Sequence, residues 1–343
     1  MSTLTFHSLV RPAAAGVFAA LACCCIATFF APLAMAEPGK WRAEGWKTDF
    51  SRTTVDLGEI LSGGPPKDAI PAIDEPRFRP VAEIDDLTDK EPVVSLSVGA
   101  DARAYPRRIL IWHEIVNDVV GGKPVAVIYC PLCNSAVVFE RKVDKTTLDF
   151  GTTGKLRHSA LVMYDRQTES WWQQFTDEAI TGAMVGKTLE VLPAGLEAFG
   201  DFKARRARGR VLVPNDPSLR RYGENPYVGY DTAERPFLFR GELPTNINPM
   251  ARVVAVRDGG TVHAVSLALL REKKAIDING IRLTWQDGQA SALDSRRLAK
   301  GRDVGTVVAT RQDGGGMQAD VPYDVTFAFA FHAFHPDIDI RQK

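Results

Sequence analysis

Two apolar runs, Pro124–Tyr129 and Ala136–Phe139, are separated only by Cys130, Pro131, Leu132, Cys133, Asn134 and Ser135. Runs this short, rich in valine and bounded by a proline and small polar residues, have the length of strands. The interval between them has the length of a tight turn. The stretch therefore predicts strand, turn and strand, with two cysteines three positions apart on the turn. Such a pair serves as a redox dithiol, as half of a metal site, or as a tight disulfide.

The compartment bears on that choice. Arg11 precedes an almost uncharged run from Pro12 to Ala36 that ends Ala34-Met35-Ala36, the small-x-small pattern of a cleavable signal peptide. Residues 1–36 are expected to be removed after Ala36, giving a periplasmic or secreted protein that starts at Glu37. An uncleaved anchor is the alternative, since the run is long enough to span a bilayer. Cleavage removes Cys23, Cys24 and Cys25. Cys130 and Cys133 then stand alone in an oxidising compartment. Val325–Phe334 is apolar but too short to span, and reads as a strand, so no stable membrane span is expected after cleavage. Lysine plus arginine and aspartate plus glutamate both number 42, which excludes a global field for nucleic acid. The one basic cluster, Ala204–Arg210, reads as a solvated loop. Partners are then a small molecule or a protein of unknown kind.

The fold class is mainly β, a β-rich α+β chain of twisted sheets or barrels with a few short helices. Residues 37–80 form an extended arm pinned by Trp41 and Trp46. Residues 81–200 form a first β-rich unit carrying the cysteines, 201–245 a connecting segment, and 246–343 a second unit. The two units echo each other. Val93, Val94, Leu96, Gly99, Arg103, Ala104 and Leu110 recur as Val253, Val254, Val256, Gly259, His263, Ala264 and Leu269. Both stretches run on through a charged segment to a turn, Gly121-Gly122 and then Asn279-Gly280, and to a strand. This predicts a duplicated β unit whose second copy carries Gln286-Asp287-Gly288 where the first carries its cysteines. Further strands are expected near Val137–Glu140 and Thr147–Phe150, and a hairpin over Ser159–Phe175. Gly151–Lys155 lacks the spacing of a phosphate loop.

The residues after Cys133 continue as a strand, whereas a thioredoxin-type dithiol opens a helix. With two thiols available, a four-thiolate zinc site is excluded within one chain. Copper or zinc would need partners such as His113, Met163 or His335, because soft thiolate, thioether and imidazole suit those ions. His113 would also be the base if a cysteine acted as nucleophile in a thiol-dependent enzyme. Glu114, Asp118, Asn134, Ser135, Asp165 and Trp171 are the other residues expected to line a site. His158 and His332 are weaker ligand candidates. The leading expectation is an exported protein that binds metal or is redox-active through Cys130 and Cys133. The alternatives are a non-catalytic binding or scaffold protein with a structural Cys130–Cys133 disulfide, and a thiol-dependent enzyme; whether the protein is an enzyme stays open.

A family resemblance adds to this reading. Asp101–Pro106, His113–Asp118, Tyr129–Ser135, Phe150-Gly151, Ser159–Trp171 and Phe334–Pro336 together resemble the domain of unknown function 3179 family. The resemblance covers about Pro80 to Asp337. It implies an exported or membrane-associated bacterial protein with the Cys-Pro-Leu-Cys and His113 segments intact, and no catalytic assignment to carry over.

Overall fold

Strands dominate the computed structural model, which describes residues 37–258, 260–312 and 318–343. The expected signal segment, with Cys23 to Cys25, lies outside the described residues, and so does Gly259. Glu37–Lys343 forms one unit. Its strands make five sheets among the described residues, none of them a closed barrel. The helices are short, about seven residues each. None among the described residues is long and apolar enough to cross a membrane.

The duplicated pattern governs the architecture. In the first half, β1 (Pro92–Val98) and β2 (Asp101–Pro106) form a hairpin that leads into α1 (Arg107–His113). A second hairpin follows, β3 (Ile115–Val120) and β4 (Lys123–Cys130), with β5 (Ser135–Glu140) beside β4. Later, β6 (Gly195–Ala198), α2 (Phe199–Arg205) and β7 (Arg210–Val213) return to the first hairpin, β6 antiparallel to β1 and β7 parallel to β2. The second half repeats this order. It has β8 (Arg252–Asp258), β9 (Thr261–Ser266), α3 (Leu267–Lys273), β10 (Ala275–Ile278), β11 (Ile281–Gln286) and β12 (Thr306–Gln312). Then β13 (Tyr323–Phe327), α4 (Ala328–Phe334) and β14 (Ile340–Arg341) close on β8 and β9 with the same senses.

The match extends to single residues. Glu114 and Lys274 each end their helix at positive φ, 60° and 65°, and each donates its N–H back to Leu110 or Leu270. The Glu114 and Lys274 carbonyls then accept from Tyr129 N and Trp285 N at 2.8 and 2.9 Å. Cys130 thus occupies the place of Gln286.

The two halves share a core. Val127 and Val138 belong to the same buried cluster as Val254 and Phe327. A nine-stranded sheet also crosses between them, where Leu196 of β6 pairs with Val307 of β12. Two sequence expectations are corrected here. Val325–Phe334 is not a single strand: the strand ends at Phe327 and α4 begins at Ala328. An unbroken apolar run carries no period, so its helical half was not readable by alternation. The strand expected near Thr147–Phe150 is divided, into Thr146–Thr147 and Phe150–Arg157.

The antiparallel meander Phe150–Thr181 forms a separate five-stranded sheet with Ile60–Ser62 of the arm. The arm is pinned as expected. Trp41 and Trp46 lie 4.7 and 4.9 Å from the ring of Trp171, in a cluster that includes Phe50 and Tyr164. Gly154 makes the arm's path possible. At its φ of 68°, a Cβ would stand 1.8 Å from the Pro65 carbonyl oxygen.

Candidate functional site: a buried dithiol turn clamped by the second repeat

The strands β4 and β5 pair with Cys130 opposite Ser135, which leaves Pro131–Asn134 as the turn. Pro131 supplies a fixed φ, and its carbonyl accepts from Asn134 N at 3.2 Å. Asn134 closes the turn at φ 55°, a conformation asparagine tolerates better than most residues. Both cysteines are free thiols and fully buried. The Cys130 thiol points to the Ser159 carbonyl at 3.8 Å, and that of Cys133 to the Cys130 carbonyl at 3.9 Å.

The turn is held from outside by β13, about 190 residues downstream in the chain. The Cys133 carbonyl accepts from Thr326 Oγ1 at 2.8 Å and from Phe327 N at 3.2 Å. Asn134 Nδ2 donates to the Val325 carbonyl at 2.9 Å. Asp324 accepts from the Ser135 hydroxyl and, at 3.1 Å, from Ala136 N. Gln174 Nε2 completes the serine's partners at 2.8 Å. On the other side Arg107, fully buried, donates to Asn134 Oδ1 at 2.7 Å while its guanidinium lies 3.9 Å from the Tyr129 ring centre. Every residue from Cys133 to Ala136 therefore has a long-range partner.

Three tyrosines surround Cys130. Tyr129 precedes it, and Tyr227 and Tyr230 come from the segment between the repeats. Tyr230 Oη donates to the Leu132 carbonyl at 3.0 Å and accepts from Phe237 N at 3.2 Å. The Phe237 carbonyl accepts from Ser159 Oγ at 2.5 Å. This segment is thus tied to the turn at Leu132 and to Ser159, whose carbonyl faces the Cys130 thiol. Burial pushes Tyr129 and Tyr230 up to about 12 and raises Tyr227 further, with the neighbouring Glu114 and Cys130 charges adding to Tyr227. Burial, then hydrogen bonding to Cys130 and its charge, raises Cys133 well above an ordinary thiol. Asp324 adds to that rise. Burial alone pushes Glu114 up to about 7, and Asp324 is raised to about 6 by burial against its hydrogen bonds.

The structure places the expected residues as follows. Asn134 and Ser135 belong to the turn, and Glu114 ends α1 with its carbonyl accepting from Tyr129 N at 2.8 Å. His113 is buried with both ring nitrogens engaged, Nδ1 with the Pro71 carbonyl and Nε2 with Tyr222 Oη, each at 2.7 Å. A carbonyl only accepts, so Nδ1 carries the proton and Nε2 accepts from the tyrosine. Burial lowers the His113 pKa, in keeping with a neutral ring. Met163 is buried in the core opposite Trp172. His335 packs on Phe331 and lines a void of about 20 Å³ with Asp324 and Arg257. Asp118 is committed to Arg103 and Tyr105, Asp165 to Thr168 and the Trp172 indole, and Trp171 to the arm. His158 pairs with Glu59 at 3.4 Å. Among the described residues, no three or more histidine, cysteine, aspartate or glutamate side chains are grouped as a metal site. Arg107, Asp324, Tyr227 and Tyr230 were missed by the sequence reading. Tyr227, Tyr230 and Asp324 lie far along the chain from the cysteines, and Arg107 opens α1 in no motif that points to them.

The fold and site together define a duplicated, mainly β protein with one buried Cys-x-x-Cys turn. Residues 67–338 match the family described as Protein of unknown function (DUF3179), and the chain belongs to that family. No curated protein and no solved structure matches it.

Proposed function

We propose that this chain is an exported thiol redox protein in which Cys130 and Cys133 interconvert between dithiol and disulfide with a partner's sulfur. The observation that carries this reading is the pair itself. Two free thiols share one turn, and the Cys133 thiol is kept protonated by burial and by its interaction with Cys130. A dithiol works through one sulfur that attacks first and one that follows.

A purely structural staple is less well supported. A bridge closing so small a loop contributes only about 2 kcal/mol on loop-entropy grounds. The turn already has its own hydrogen bonds to β13 and Arg107. A nucleophile with His113 as base is also disfavoured, since both its nitrogens are occupied. Copper or zinc on the two thiolates is the competing chemistry.

The test is elemental analysis with a free-thiol count on mature protein purified anaerobically from the cell envelope. The redox reading expects less than a tenth of an equivalent of metal, and thiols that are recovered fully by dithiothreitol. Near-stoichiometric copper or zinc with protected thiols would replace it with a metal centre. A Cys130→Ser protein with unchanged thiol reactivity would remove both.

A further inference from the structure

Cys130 and Cys133 are 1 and 0 % exposed, so a partner's sulfur reaches neither thiol until part of the fold moves. Three neighbours hold the turn. Strand β13 is paired along its length with β8, and Arg107 opens α1 with its side chain fully buried. Moving either one breaks up a sheet or the core. The third neighbour, the chain between the repeats, is built differently. Asp231, held by Arg252, Ser291 and Arg302, anchors one end, and the buried Met250 anchors the other. Between these anchors, residues 234–247 form no helix or strand. Among the described residues, three hydrogen bonds tie them to the body. Phe237 makes two of these: its N–H donates to Tyr230 Oη at 3.2 Å, and its carbonyl accepts from Ser159 Oγ at 2.5 Å. Gln342 Nε2 makes the third, to the Asn246 carbonyl at 3.2 Å. Phe237 itself is 59 % exposed, and Leu238 beside it has a φ of 52°, a conformation rare for so bulky a residue. Leu238, Phe239 and Leu243 are only partly buried against the core. A cleft of about 340 Å³ is lined by Leu243, Thr245 and Asn246 on one side and by His332, Pro336 and Ile340 on the other.

We infer that residues 234–247 are a hinged strap that opens between the Asp231 and Met250 anchors to admit a partner's sulfur to Cys130, with the Tyr230 hydroxyl as its latch. The inference rests on the redox reading above. Phe237 is where the strap meets the thiol site. The Tyr230 hydroxyl that accepts from Phe237 N also donates to the Leu132 carbonyl, inside the cysteine turn, at 3.0 Å. Ser159 holds Phe237 through its hydroxyl, and its carbonyl faces the Cys130 thiol at 3.8 Å. Opening therefore parts Phe237 from Tyr230 and Ser159, and leaves β4, β5 and β13 paired as they are. Local openings draw on segments of this kind, with few hydrogen bonds and few buried contacts. Cys133 is not released by the same motion. Its carbonyl stays clamped by Thr326 and Phe327 of β13. The strap thus decides which sulfur a partner meets first.

N-ethylmaleimide is the probe. The reduced mature protein is labelled at urea concentrations below its unfolding transition, with Cys133→Ser and Cys130→Ser each reporting one thiol. Cys130 labelling is expected to rise with urea at less than about half the slope of global unfolding, because a strap exposes far less surface than the whole chain. Cys133 labelling is expected to follow the steeper slope. Tyr230→Phe, which deletes both hydroxyl bonds, is expected to speed Cys130 labelling about five- to ten-fold in the absence of urea. Cys133 labelling should change much less. Cys130 labelling that follows the global slope would overturn the inference, and so would a Tyr230→Phe change that speeds both thiols alike or neither. If Tyr230→Phe fails to fold, the two slopes in the protein with Tyr230 intact decide alone. Oxidised glutathione separates this result from the redox reading. A Cys133→Ser protein whose Cys130 labels through local opening but never forms a glutathione adduct would remove the redox reading, and with it the strap's service to a partner.

Discussion

Glu114 shows how a single residue can be strained in two ways at once. It sits at positive φ to end α1, and its carboxyl is buried with burial as the sole cause of its shift to about 7. A raised carboxyl is neutral in both states at low pH. As pH rises from about 4.5 to 7 the unfolded chain ionises first, so folding loses stability across that window and stays lower above it. The loss is about 3 kcal/mol. Glu114→Gln is accordingly expected to stabilise the protein by about 2–3 kcal/mol at pH 8 and by almost nothing at pH 4, as read by urea denaturation. An equal gain at both pH values would contradict this account of the residue. Asn134 is the opposite case, a residue with both side-chain polar atoms and its N–H used. Asn134→Ala removes the bonds to Arg107 and Val325 and places alanine at φ 55°. A cost of about 2–4 kcal/mol is expected, with thiol alkylation accelerated as the turn loosens. The cysteine pair itself was legible, because a turn between two β runs is a local matter. Asp324 was not, because nothing near it in the chain names its partner.

Among the elements, the contrast between β13 and α4 explains most of what the sequence hid. Residues 327–334 are apolar almost throughout and largely buried, so neither a two-residue nor a 3.6-residue period stands out. The repeat, however, demands the helix, since α4 stands where α2 stands in the first half. Strand β13 then acts as the clamp on the cysteine turn. Thr326→Val keeps the shape but deletes the bond to the Cys133 carbonyl at 2.8 Å. We expect about 1–2 kcal/mol lost in urea denaturation, together with faster alkylation of Cys133. Unchanged alkylation would mean that β13 is a neighbour of the turn and not its clamp.

At the scale of the whole molecule, the duplication was legible because its turns are fixed by residue type. Gly121-Gly122 and Asn279-Gly280 all adopt positive φ at equivalent hairpins. What the echo did not reveal is that the halves share one core and that the second serves the site of the first. Tertiary packing decides that, and it leaves no period in the sequence. The arm was legible through its tryptophans. Trp41→Ala would leave a cavity against Trp171 and Phe50 and is expected to cost about 3–5 kcal/mol, measured by denaturant midpoint. The central claim concerns the thiols, and a redox titration tests it most directly. The mature protein is equilibrated with glutathione buffers of graded ratio, and the two thiols are counted by alkylation and mass. The account predicts one reversible two-electron transition in which Cys130 and Cys133 are lost and regained together. Thiols that stay reduced throughout, or a disulfide that forms once and cannot be reversed in the folded protein, would contradict it.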